Sequence, residues 1–193
     1  MQERRSRVER STNETSVEVE VDLDGSGSYS VDTGIRFLDH MIASIAKHSL
    51  IDLRLKGISK DGIRHHLVED VAITFANALD KALGSRDGIE RFGYAMVPMD
   101  DALAVAALDL VRRAYHAIDL KLVNGVEDMA KEDIEHFFTS LASNLDACLH
   151  VVVQYGKNDH HKVEAACKAL AVALRNAASM NPRRGVASTK GTI

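Results

Sequence analysis

Residues 64–84 read RHHLVEDVAITFANALDKALG, and residues 159–177 read DHHKVEAACKALAVALRNA. In the first stretch Leu67, Val71, Phe75, Leu79 and Leu83 recur every fourth residue and Gly84 follows, the pattern of an amphipathic helix with a glycine stop. In the second, Val163, Cys167, Leu170 and Leu174 form a matching stripe. The spacing predicts helices over about 66–83 and 161–178. Superposed, His65, His66 and Glu69 stand 95 positions before His160, His161 and Glu164. Upstream, FLDHMIASIA faces IEHFFTSLAS, which puts His40 and His136 in register, 96 positions apart. A His-His-x-x-Glu string arises by chance about 0.02 times in a chain of this composition. Two copies, each with a matched upstream histidine, therefore identify an internal duplication.

Working outward, SVEVEVDL (16–23) sets Val17, Val19, Val21 and Leu23 against Glu18, Glu20 and Asp22, the alternation of a half-buried strand. Asp24-Gly25 marks a turn, and a short strand at Tyr29–Asp32 is expected to close a hairpin with it. A helix then runs through residue 48, alternation returns at 51–58, and the 66–83 helix ends a ββαβα half. Beyond the loop GSRDGIERFG the order recurs: strand material at 94–99 and 102–110, alternation in HAIDLKLV, a helix over 131–146, the strand CLHVVVQY and the final helix. The expected fold is α+β, two duplicated ββαβα halves with sheet packed against helices. The expected organisation is a single domain over 1–193, with pseudo-repeats at about 10–90 and 91–180 and a C-terminal tail at 181–193.

Composition supports a packed aliphatic core: 46% of the 193 residues are hydrophobic and 27% charged, with no Trp, five Phe and four Tyr. A net charge of −4 with no clustered basic face argues against nucleic acid as a partner. No window approaches the roughly 18 apolar residues of a membrane span, and the basic N-terminus has no apolar stretch behind it. A soluble cytoplasmic protein is expected. Cys148 and Cys167 lie in apolar segments without metal-type spacing and read as buried, reduced thiols.

Nine histidines against two cysteines set the chemistry. Taken alone, each is best explained as a helix-start residue satisfied by hydrogen bonds; the paired register favours ligands. On a helix, i and i+4 lie one above the other, so His65 with Glu69, and His160 with Glu164, can each hold one metal from one face. His66 and His161 sit about 100° round the helix from their neighbours and aim at a different ion. Six imidazoles and two carboxylates divide evenly into two sites of three imidazoles and one carboxylate. This thiolate-free set suits Mn, Fe, Co, Ni or Zn. Four protein ligands leave coordination positions open for a substrate such as a flat nitrogen heterocycle or a polyol. Two other functions use the same residues: a dinuclear metallohydrolase, and a non-enzymatic protein that assembles through metal. His48 ends a helix, where it can cap carbonyls, yet lies two turns from His40; His116 and His150 read as surface or sheet residues. Ser188, Thr189 and Lys190, between Gly185 and Gly191, suit the wrapping of a phosphate, with Arg91, Arg113 and Lys168 as further cations.

The strings FLDHM, HHLVED, ERFG, EHFF, GKNDHHKVE and STKG, in this order, closely resemble imidazoleglycerol-phosphate dehydratase of histidine biosynthesis, from RSTNET at 10–15 through 188–191. The resemblance implies a fold like the second domain of ribosomal protein S5. It implies two Mn2+ per active site and a homo-oligomeric shell of 24 subunits in which neighbours complete each site. One ion takes His40, His66, His160 and Glu164, and the other His65, Glu69, His136 and His161. Glu14, Glu69 and Glu164 become the catalytic carboxylates, Glu14 as acid/base. His40, His48, His65, Glu69, His160 and Lys168 line the substrate, and Arg91, Arg113, Ser188, Thr189 and Lys190 hold its phosphate. The implied reaction is loss of water from imidazole glycerol phosphate to give imidazole acetol phosphate, through an imidazolate bound between two metal ions. Three positions depart from the family's usual pattern without removing a ligand: Arg64 for an Asp, Ala43-Ser44 for Asp-Gln, and Ala114 for a Pro.

Overall fold

The computed structural model describes residues 3–191. The first half runs β1 (Arg5–Ser11), β2 (Thr15–Asp22), β3 (Tyr29–Asp32), α1 (Arg36–Ser49), β4 (Asp52–Ser59) and α2 (Arg64–Leu83). The second repeats it: β5 (Phe92–Met99), β6 (Ala102–Asp109), β7 (Tyr115–Asp119), α3 (Lys131–Asn144), β8 (Cys148–Tyr155) and α4 (Asp159–Ala178). Each half builds its own four-stranded sheet, in the orders β1-β2-β4-β3 and β5-β6-β8-β7. The α+β duplication is therefore present, with one strand per half more than the ββαβα pattern.

The additional strand of the first half is β1, an edge strand. Its inward positions are Ser6, Val8 and Arg10, so it lacks an apolar face, and its polar groups are satisfied instead: Ser6 Oγ donates to the Ala78 carbonyl at 2.7 Å, and Arg10 Nε donates to Asp70 at 2.7 Å. On the outer face Arg7 pairs with Glu9, Glu18 and Glu20. The Tyr29–Asp32 strand does not form a hairpin with β2. It pairs parallel to β4, because β4 already occupies that edge of β2 and α1 supplies the crossover that parallel neighbours require. Residues 25–28 cross the end of β4, where Asp52 Oδ1 accepts the amides of Ser26 and Ser28, each at 2.8 Å.

α1 and α2 cover the first sheet, and α3 and α4 the second; α1 packs on α4 and α2 on α3, so the four helices lie between the two sheets. One apolar cluster, including Val17, Val19, Val21, Phe75, Leu79, Phe137, Leu149, Val151 and Leu170, runs through both halves. Contact is closest at Gly93. A Cβ there would lie 1.9 Å from the Ala173 carbonyl oxygen and 2.7 Å from the Ala177 amide, so only glycine lets β5 rest on α4. Ser6 and Ala78 are the corresponding pair in the first half, where the strand stands far enough off for a hydroxyl to bridge the gap.

The loop between the halves is anchored by Arg86, which is 1% exposed at φ 62°. Its guanidinium donates to the carbonyls of Leu145 and Asp146 and to Asp80. Residues 181–191 pack back along this loop: Asn181 donates to Gly88 O, Gly88 to Gly185 O, and Arg184 pairs with Glu90. Thr192 and Ile193, at the end of the expected tail, lie outside the described residues.

Candidate active site

α4 begins at Asn158, whose side chain accepts the His160 amide at 2.9 Å. α1 is capped across the halves by Asp128, which accepts the amides of Arg36 (2.8 Å) and Phe37 (2.9 Å). With these helix starts fixed, His40 on α1 meets His160 and Glu164 on α4; His40 Nε2 and His160 Nε2 lie 3.5 and 3.4 Å from Glu164 Oε2. On the other side of the helical layer, His65 and Glu69 on α2 meet His136 on α3, with His136 Nε2 3.4 Å from Glu69 Oε1. In each trio one ligand atom per residue lies within 4.8 Å of the others. Both trios draw on both halves of the chain.

His136 Nε2 is buried and, among the described residues, has no hydrogen-bond partner. The Glu69 oxygen is near enough, but its direction does not suit a hydrogen bond, so a nitrogen and a carboxylate converge on one point without pairing. Glu164 is held below the usual carboxylate range: burial works against this, but the Lys168 ammonium at 2.8 Å and then His40 outweigh it. A cleft of about 230 Å3 opens beside the first trio, lined by Arg36, Phe37, His40, Glu127 and His160. A larger hollow on the outer face of the first sheet, between Arg5, Arg7, Glu20 and Arg54, contains no imidazole.

His66 and His161 stand apart from both trios. His66 Nδ1 is 2.7 Å from Asp61 and 3.7 Å from Glu14, at the β1–β2 turn. The Asp61 hydrogen bond raises the His66 pKa, while the Ile63 amide and then His66 lower that of Asp61. His161 Nδ1 is 2.6 Å from Asp101, and its Nε2 is 3.4 Å from the exposed Asp100. The His161 contact, reinforced by the amides of Lys157 and Asn158, holds Asp101 far below the usual carboxylate range. His65 Nδ1 likewise meets Asp133 at 2.7 Å. Sequence reasoning missed Asp61, Asp101 and Asp133. The one local signal was KDG, five residues before His66, since ring nitrogens facing a metal commonly have a carboxylate behind them; MDD and KED lie far in sequence from His161 and His65.

The remaining residues are distributed as follows. His48 lies near the end of α1, its pKa lowered by burial and then by the charge of Lys168, which also contacts Met99 Sδ at 3.2 Å. Arg91 binds both oxygens of Asp109 (2.6 and 2.9 Å) and the Ala187 carbonyl (2.6 Å), joining the tail to β5. Those contacts use three of a guanidinium's five N–H groups and, among the described residues, leave two without a partner. Ser188 Oγ accepts the Lys190 amide at 3.2 Å; Thr189 and Lys190 are exposed. Arg113 is exposed, and among the described residues its side chain has no hydrogen bond or ion pair. Of the three departures, Arg64 donates to the Asp128 carbonyl, Ser44 Oγ is buried without a partner, and Ala114 is exposed. Cys167 is buried, which raises its thiol pKa, and both cysteines are free; Cys148, expected to be buried, is only half-buried on β8, 3.5 Å from His150 Nε2. Among the described residues no helix is long and apolar enough to cross a membrane.

A duplicated α+β chain whose helices gather imidazoles and carboxylates from both halves defines an enzyme class built on paired histidine–glutamate sites. The family model for imidazoleglycerol-phosphate dehydratase matches residues 33–174. The enzyme of that name from Chloroherpeton thalassium is 48% identical over 195 residues, covering all of both chains. That of Methanothermobacter thermautotrophicus is 47% identical over 192 residues, 98% of each. The crystal structure of IGPD from Pyrococcus furiosus in complex with (S)-C348 superposes with a TM-score of 0.84 at 35% identity, covering 96% of this chain and 100% of that one. The Staphylococcus aureus enzyme gives 0.82 at 26% identity, covering 92% and 99%. The chain belongs to the imidazoleglycerol-phosphate dehydratase family, and as a member it is a dehydratase of histidine biosynthesis. Membership decides against both the hydrolase and the assembly-only readings.

Proposed function

We propose that the chain dehydrates imidazole glycerol phosphate to imidazole acetol phosphate at a site holding two divalent metal ions, manganese in this reading. The observation that carries the proposal is the pair of trios, His40–His160–Glu164 and His65–Glu69–His136. The unpaired, buried His136 Nε2 supports metal binding, because a nitrogen lone pair desolvated opposite a carboxylate is costly unless an ion lies between them. Metal ions held by these trios would supply Lewis acidity toward the substrate's imidazole ring.

Within this reading each trio gains a fourth ligand, His66 for the first and His161 for the second. Neither reaches a trio within its own chain, which supports a homo-oligomer with sites shared between neighbours; the shell of 24 subunits is what the family resemblance implies. Glu14, beside His66, moves protons on the substrate's carbon chain, and Glu69 and Glu164, the carboxylates of the two trios, help position the ring. His48 and Lys168 line the substrate. The two free N–H groups of Arg91 bind the phosphate together with Arg113, Ser188, Thr189 and Lys190. The test is incubation of manganese-loaded protein with imidazole glycerol phosphate. Imidazole acetol phosphate is the expected product; a folded, metal-loaded sample that forms none overturns the proposal.

A further inference from the structure

Three of the six histidines present Nδ1 to an aspartate at hydrogen-bond distance: His66 to Asp61 at 2.7 Å, His161 to Asp101 at 2.6 Å and His65 to Asp133 at 2.7 Å. A carboxylate only accepts, so each Nδ1 carries the proton and each Nε2 keeps its lone pair. The carboxylates are themselves fixed. Asp61 Oδ1 accepts the Ile63 amide (2.9 Å) and the Ser59 hydroxyl (3.1 Å). Asp101 Oδ2 accepts the amides of Lys157 (2.5 Å) and Asn158 (3.2 Å). Asp133 is 15% exposed in the first turn of α3. Asp61 and Asp101 therefore hold their imidazoles in one orientation as well as one tautomer, and Asp133 sets the tautomer of His65. The neighbouring carboxylates do neither: Glu14 is 3.7 Å from His66 Nδ1, and Asp100 is on the Nε2 side of His161 and 67% exposed.

We propose that Asp61, Asp101 and Asp133 are positioning residues that fix His66, His161 and His65 with Nε2 free to bind a metal ion. Their role matters most at His66 and His161, which have no partner ligands of their own chain to orient them. The proposal rests on the metal-binding reading above.

The sharp variants are Asp61→Asn and Asp101→Asn. In each, the oxygen that accepts the loop amides is retained and the new NH2 faces Nδ1. A donor there forces the imidazole proton onto Nε2 and removes the lone pair meant for the ion. The measurement is manganese affinity of the metal-stripped, full-length protein by equilibrium dialysis, alongside the Tm of the metal-free form. Asp133→Ala tests the third position, and Asp87→Asn, on the exposed loop, is the control. Affinity is expected to fall at least about tenfold, the usual effect of removing such a partner, with Tm unchanged and the control unaffected. Wild-type protein that binds no manganese overturns the metal reading itself. Wild-type binding with variants within twofold of it overturns only the positioning role, as does a loss confined to variants whose Tm also falls.

Discussion

Gly93→Ala places one methyl group where β5 meets the backbone of α4. The added carbon would lie 1.9 Å from the Ala173 carbonyl oxygen and 2.7 Å from the Ala177 amide nitrogen, and neither is a side chain that can turn aside. To restore contact, α4 must withdraw from the sheet by roughly 1 Å or more, a rigid displacement of a close-packed helix. Overpacking of this kind costs about 1–3 kcal/mol, and a backbone-to-backbone clash belongs at the upper end. At about 2–4 °C per kcal/mol for a chain of this length, a loss of about 3 kcal/mol lowers Tm by about 6–12 °C. Because α4 carries His160 and Glu164 whereas His65, Glu69 and His136 sit on α2 and α3, the displacement opens the first trio directly and reaches the second site only through His161. Thermal unfolding followed by circular dichroism, together with counting of bound manganese, checks both effects. A variant within 2 °C of wild type that keeps its full metal complement refutes the argument that the glycine is required by contact.

Glu14→Gln should keep manganese content and subunit assembly while abolishing turnover, because Glu14 lies outside both trios and touches only the His66 side; product formation at the wild-type rate would remove it from the mechanism. Asp128 should set part of the acid sensitivity. Burial works to raise its pKa, yet the Phe37 and Arg36 amides prevail and hold it below the usual 3.8. A lowered folded-state pKa means stability that is present above about pH 4 and lost as pH falls through the lowered value. Asp128→Asn should therefore be less stable at neutral pH and lose less on acidification, which denaturant titrations between pH 6 and 3 will measure; parallel profiles for variant and wild type would show that this cap contributes nothing.

The two repeated helices and six histidines were legible because each depends on local spacing: a stripe every fourth residue, and ligands at i and i+4. β1 was not, because its inward face is Ser6, Val8 and Arg10, stabilised by hydrogen bonds to α2 that alternation cannot register. The Tyr29–Asp32 strand was found, but its partner depended on competition for the edge of β2, which local sequence does not encode. The same limit hid Asp101 and Asp133, whereas Asp61 lies only five residues before His66. Asp101 and Asp133 precede or follow their histidines by tens of residues and reach them only after the loops and helices have docked. Arg64, which departs from the family pattern just before His65, donates to the Asp128 carbonyl, and the carboxylate behind that histidine comes from α3.

Because each trio is divided between halves, a half cut free would carry one imidazole of one site and an imidazole–carboxylate pair of the other. Two separate halves would have to find each other at their bulk concentration. Joined through the 84–91 loop, they meet at the millimolar-scale effective concentration of a short tether and always in equal number. The loop, which supplies no residue to either trio, thus sets stoichiometry: it holds the two halves in equal number, so neither trio can be lost by dilution of one half from the other.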